Sequence, residues 1–358
     1  MLLLGIVFIL LIPFCLLQVI AVKNVIFLRP FHYLFIGVLF LIAAFRVTSP
    51  DYANYEAYYA LLSSGVDYRD VNIVAADPIF AYINYFFALF TKDPIIIFVF
   101  FASTSVAINL SCYKKYSPYF FLSILFYVSH TYVAREIMQI RAGLACALCL
   151  YSIRYIFQKR LYCFFLIIFS ASAIHLGALV FSLAYFIGRL QVSKKTIFLI
   201  LIAAVGIGLI YPFGHIFKQI PTIDFLQRIQ YYNESKYGEA AGVLNNPIII
   251  KGILIIVFCL YFHDSLIKLN KYYLLCFNLY FFSVIWYLLW NDFEIFAARI
   301  ATFFSITEVL LLSYIPLLMK CAKNKLLSAF LLVMFATLIL FLNVYTGKWD
   351  EVILPWAI

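Results

Sequence analysis

Apolar runs about as long as a bilayer is thick dominate this chain. Runs of roughly 17 to 25 residues, the length that carries a helix across hydrocarbon, recur from Met1 almost to Tyr345 with two sizeable polar interruptions. Backbone polar groups inside hydrocarbon must be satisfied within their own segment, so runs of this kind are helices. Hydrophobic residues make up 66% of the 358 and charged residues 12%, a charged share about half that of a soluble domain. The expected fold is an all-α polytopic membrane protein, a single membrane domain over residues 1–358 with no soluble catalytic domain.

Charge sorting predicts the topology. Fifteen of the 26 basic residues fall in six short loops: Lys23 and Arg29; Lys114 and Lys115; Arg154, Lys159 and Arg160; Arg189, Lys194 and Lys195; Lys268 and Lys271; Lys320, Lys323 and Lys325. Those loops hold one acidic residue, Asp264, so the positive-inside rule places them in the cytoplasm. The same rule accounts for the net charge of +10 and leaves no case for nucleic-acid binding. The other polar stretches, 46–77, 135–141, 214–246, 291–299 and the tail, then face the periplasm, as do both ends of the chain. Two of them, 46–77 and 214–246, form larger periplasmic loops.

Two segments need special treatment for this sorting to hold. Pro78 to Phe90 has only 13 residues, and if it crossed, Lys114 and Lys115 would land outside; it is predicted to be re-entrant or interfacial. Leu161 to Gly188 has 28 residues, about 42 Å as one helix and longer than the bilayer core. Two short arms joined near Ser172 to Gly177 keep both flanking basic clusters inside and put His175 at the outer tip. About twelve spans result: 2–22, 30–45, 94–111, 118–134, 141–157, 161–173, 176–188, 196–213, 247–262, 272–290, 300–318 and 326–344. The first has no basic n-region before it and no small-residue cleavage site, and is predicted to be a retained helix.

The candidate chemistry lies on the outer side. Arg135, Arg141 and Arg299 sit at helix ends there, on the face expected to carry His175. Snorkelling, or pairing with Glu136 or Glu294, is the bland alternative for each arginine taken singly. Guanidinium groups stay charged, fork onto oxyanions and stabilise a charged leaving group without a metal, which suits a lipid diphosphate. His175 is open to two readings, a structural histidine or a general base. Asp51 and Tyr55 are neighbours if their segment is a helical turn. Tyr52, Tyr58 and Tyr59 beside them read as interfacial anchors or as platforms for sugar rings. Glu308 is an intramembrane acid, Lys251 lies close enough to the outer end of its span to snorkel, and Ile223 to Gly238 reads as a lid for an acceptor. The eight cysteines look like small buried hydrophobes, including Cys146 and Cys149 at CxxC spacing. The CxxC lies mid-span without a second pair, and no second histidine or cysteine stands at ligand spacing from His175, so no metal site is supported; no cofactor motif occurs.

The ordered motifs DYANY (51–55), DPIF (77–80), IRAGLA (140–145), IHLGALV (174–180) and AARIATFF (297–304) resemble the EpsG-like branch of the Wzy-type bacterial polysaccharide polymerases. The likeness covers about residues 30–320. Ala142 stands where a glutamine is common, and Asp77 where a glutamate often precedes the proline. The resemblance implies a metal-independent inner-membrane glycosyltransferase of O-antigen, capsule or exopolysaccharide assembly. Its substrate would be an undecaprenyl-diphosphate-linked oligosaccharide, with a flippase and a chain-length regulator of the same pathway as partners. Asp51, Tyr55, Arg141, His175 and Arg299 are the positions it marks. Two other activities stay open: a polytopic glycosyltransferase using a lipid-phosphate sugar, and a flippase or exporter of lipid-linked glycan.

Overall fold

A computed structural model describes residues 2–20, 25–47, 49–67, 77–213, 242–243 and 245–345. Every regular element among the described residues is helical. The expected acceptor lid, Ile223 to Gly238, lies outside them, as do residues 68–76 of the first outer loop.

Among the described residues the chain opens with α1 (Leu2–Ile20), α2 (Arg29–Ala44), α3 (Tyr52–Ser63), α4 (Pro78–Ala88), α5 (Ile95–Tyr116), α6 (Phe120–Phe126), α7 (Ile140–Phe157) and α8 (Leu161–Ile174). After α6 the backbone winds into two wider π turns, Tyr127–Thr131 and Val133–Met138. A 3-10 segment, Leu176–Leu183, leads from α8 into α9 (Ala184–Ile187). Then come α10 (Lys194–Ile210), α11 (Pro247–Tyr261), α12 (His263–Leu269), α13 (Tyr273–Leu289), α14 (Glu294–Ser305), α15 (Glu308–Tyr314) with a 3-10 turn, and α16 (Ala322–Tyr345).

Among the described residues four helices, Leu3–Ile20, Ile95–Tyr116, Ile140–Phe157 and Ala322–Asn343, are long and apolar enough to cross a bilayer. Two interrupted pairs, Pro247–Tyr261 with His263–Leu269 and Phe296–Ser305 with Glu308–Leu318, raise the number to six when each counts as one span. Among the described residues length and composition thus support four to six crossings, where charge sorting over the whole chain expects about twelve. The difference arises in short elements: α2, α8 and α13 have 16, 14 and 17 residues, and a 16-residue helix covers only about 24 Å. At 11 residues α4 is about 16 Å long and too short to cross. Along α16, Leu327, Phe330, Leu331, Met334, Leu338 and Phe341 are all exposed. So much apolar surface on one helix is stable against lipid, not water, and the protein is a polytopic membrane protein.

The chain packs as two compact units. The first comprises Met1–Tyr155, Arg160–Leu179 and Val309–Ile358. In it α2 packs on α5, and α1 on α6 and α16. Polar side chains pin the helix ends: the buried Gln18 accepts the Phe121 N–H at 2.9 Å where α6 begins, and the half-buried Asn343 of α16 donates to the Ser129 carbonyl at 3.1 Å. Glu136, the partner for arginine in the bland alternative, is 2% exposed and lies on the second π turn, facing inward. Ser105 donates to it, as do Asn109 at 2.9 Å and Tyr127 at 2.7 Å.

The second unit comprises Ile156–Lys159 and Val180–Glu308, with α13 packed against α10, α11 and α14. A Cβ at Gly208 of α10 would lie 2.5 Å from the Leu288 carbonyl oxygen, so the bare backbone permits the approach. Asn291 fastens it by donating to the Gly208 and Leu288 carbonyls at 2.9 and 2.8 Å. Lys251 does not snorkel, because a carboxylate lies within reach: it pairs with Glu308 at 2.7 Å.

Candidate functional site

Three chain breaks in the first unit meet at Asp77. Pro78 starts α4 in the position where proline is best tolerated, and Asp77 before it is extended, with φ −56° and ψ 136°. Its carboxylate does not cap its own helix. One oxygen accepts the Leu176 N–H at 3.0 Å, and the other lies 3.6 Å from Arg141 Nη1 at the start of α7. Asp77 therefore ties together the starts of α4 and α7 and the break after α8.

That break is local in origin. α8 ends at Ile174, and His175 takes an extended conformation, φ −153° and ψ 110°, before the 3-10 segment begins. Its own N–H closes the last helical turn onto the Ala171 carbonyl at 2.9 Å. The ring Nδ1 accepts the Gly177 N–H at 3.1 Å, so in the neutral imidazole the proton resides on Nε2.

Arg141 is aimed by a glycine. A Cβ at Gly143 would lie 2.5 Å from the Arg135 carbonyl oxygen, so only glycine lets the first turn of α7 sit against the preceding π turn. The Arg141 guanidinium rests 5.1 Å from the Phe80 ring centre and 5.9 Å from that of Tyr55. Its contact with Asp77 is too long for a tight bidentate pair, and its Nε is buried without an acceptor. Donor capacity remains for an anion.

Tyr55 is 6% exposed on α3, and its N–H closes onto the Asp51 carbonyl at 3.1 Å, the helical-turn relation predicted for these two residues. Burial pushes the Tyr55 phenol above its ordinary value; Arg141 opposes that rise and Asp51 adds to it. Asp51 itself is half-buried at the head of α3.

Asp77, Arg141, Tyr55 and the chain at His175 are thus one cluster, with Asp51 one helical turn from Tyr55. Arg135, partly buried, hydrogen-bonds the Gln139 side chain. Arg299 is exposed on α14, within the second unit. Asp77 joins the site residues expected from sequence; its signal is the DP dipeptide that opens DPIF (77–80). No group of three or more His, Cys, Asp or Glu residues placed to hold a metal occurs among the described residues.

Burial raises the Asp77 carboxyl above its ordinary value, and the Leu176 N–H and Arg141 only partly offset this. The ionised form is therefore the costly one in the folded protein. Stability from this group is complete below the unfolded pKa and is lost as pH rises through the raised folded value. The melting temperature of Asp77→Asn minus that of the parent should grow as pH rises through the carboxylate range. A difference that shrinks over that range would show that Arg141 outweighs burial.

The EpsG family profile matches residues 29–355. The amylovoran biosynthesis protein AmsC of Erwinia amylovora is 25% identical over 327 residues, which cover 87% of this chain and 85% of that protein. No solved structure matches the chain. The matched region takes in every residue of the cluster and nearly all of both compact units, and the chain belongs to the EpsG family.

Proposed function

We propose that the protein is a polysaccharide polymerase of the bacterial inner membrane. In this reading it joins undecaprenyl-diphosphate-linked oligosaccharide repeat units at the periplasmic face, with about twelve spans arranged as charge sorting predicts. Membership of the EpsG family supports it, as does the likeness to a protein of amylovoran biosynthesis. The observation that carries it is a half-buried arginine whose Nε has no acceptor, beside a carboxylate and a tyrosine, with that carboxylate bonded to the backbone next to His175.

The acceptor hydroxyl attacks the anomeric carbon of the donor, the bond from that carbon to the diphosphate oxygen breaks, and the hydroxyl proton passes to a base. Arg141 holds the diphosphate and offsets the charge that grows on its leaving oxygen. Because Nδ1 of His175 already accepts from Gly177, His175 serves as an Nε2–H donor to substrate, and Asp51 takes the proton. A chain-length regulator and a flippase would act alongside.

The test supplies purified lipid-linked repeat units to the purified protein and separates the products on a gel. A ladder supports the polymerase; a one-sugar shift points to a single-sugar transferase, and no change to a flippase or exporter. His175→Gln keeps an N–H near the Nε2 position and should still produce a shortened ladder, whereas His175→Ala should produce none. Equal loss from both substitutions would return the base role to His175.

A further inference from the structure

A second arginine of the first unit, outside every predicted site, is more deeply buried than Arg141. Arg46 follows α2, is 3% exposed, and has one acceptor, the Ala43 carbonyl at 2.6 Å from Nη1. Nε and Nη2, which carry three of its five N–H groups, are buried and have no partner. Among the described residues no carboxylate lies within ion-pair distance of it. The group is nonetheless charged: burial lowers its pKa to about 10, against the opposing pull of Tyr55, Tyr52, Tyr132 and Glu136.

Aromatic faces connect it to the cluster. The Arg46 guanidinium lies 4.3 Å from the Phe98 ring centre and 5.9 Å from that of Tyr52, and these two rings stack at 4.6 Å. Phe98 meets Tyr55 at 6.4 Å, Tyr55 meets Phe80 at 5.8 Å, and Arg141 lies over both Tyr55 and Phe80. A strip of four rings thus runs between two guanidinium groups. Ser49, three residues after Arg46, adds a buried hydroxyl that also lacks a partner.

A buried cation held by ring faces and one carbonyl is costly as it stands and gives up little on moving to an anion. We propose that Arg46 is a second anion-binding residue of this site, receiving a phosphoryl oxyanion of the lipid-linked substrate on Nε and Nη2. The inference rests on the polymerase reading for the identity of that substrate.

A cation kept only to brace the rings and a cation waiting for an anion differ in a measurable way. In the second case Arg46→Met replaces an uncompensated charge by an apolar chain of similar length. Full-length protein in lipid nanodiscs should then melt no lower than the parent when no anion is present. The same variant should bind farnesyl diphosphate at least tenfold more weakly, and Arg46→Lys, which keeps the charge but not the fork, should also lose affinity. Weakened binding of inorganic pyrophosphate as well would assign the phosphoryl groups alone, and weakening confined to farnesyl diphosphate would assign the lipid-linked form. The inference is overturned if Arg46→Met binds both probes within twofold of the parent, or if it melts well below the parent without anion. The polymerase reading fails separately: a parent that binds the probes through Arg46 but builds no ladder would keep the site and lose the reaction.

Discussion

Arg141→Ala should leave cells with single unpolymerised repeat units and no long chains, while the protein still reaches the membrane in normal amount. The reason is geometric. Arg141 is aimed by the close approach at Gly143, backed by the Phe80 ring, and held by Asp77 at 3.6 Å, a distance that leaves donors over. Two unit charges about 4 Å apart attract by about 4 kcal/mol at an effective dielectric of 20. Losing one preorganised donor at a developing oxyanion typically costs about a hundred- to a thousandfold in rate. Arg141→Lys should not rescue, because a single ammonium cannot face Asp77 and grip two phosphate oxygens at once. The alanine variant also leaves the Asp77 carboxylate half-buried without the Arg141 charge, held by backbone N–H groups such as that of Leu176. Arg141→Ala combined with Asp77→Asn removes that stray charge, and chains should still be absent. Restoration of long chains in the double variant would show that the single substitution acted through misfolding.

Much of this arrangement could be read from local sequence. Pro78 marks the head of a helix too short to cross, and the 28-residue run from Leu161 has to break, which it does at His175. Asp51 and Tyr55 meet because four residues make a helical turn. What sequence could not show is which distant residues meet. Asp77 and Arg141 lie 64 positions apart, and nothing in either motif names the other. Gly143 looks like an ordinary small residue until the Arg135 carbonyl is found against it. Arg135 and Glu136 read together as a charged helix end, yet the π turn sends Glu136 inward to Ser105, Asn109 and Tyr127. Arg46 was hidden in the same way: as the first charge after an apolar run it looks like a loop boundary, whereas the chain folds it under Tyr52 and Phe98.

The largest effect on stability is expected in the second unit, from Lys251→Met. Lys251 Nζ lies 2.7 Å from Glu308, whose other oxygen accepts from the Tyr280 hydroxyl at 3.0 Å, and both charged side chains are largely buried, at 14% and 16% exposure. Neither residue could be matched to the other from sequence, since 57 positions separate them and each sits in an apolar run. Removing one member strands the other charge away from water, which typically costs about 3 to 5 kcal/mol. Glu308→Leu should be comparably damaging, because it leaves the Lys251 ammonium unpaired. Lys251→Met with Glu308→Leu removes both charges together and should recover most of the loss, since an apolar pair of similar volume is often as stable as the ion pair it replaces. Denaturation of the purified protein across this double-mutant cycle gives the coupling directly. A double variant as unstable as the sum of the two single ones would mean that the side chains act independently and that the ion pair contributes nothing to the fold.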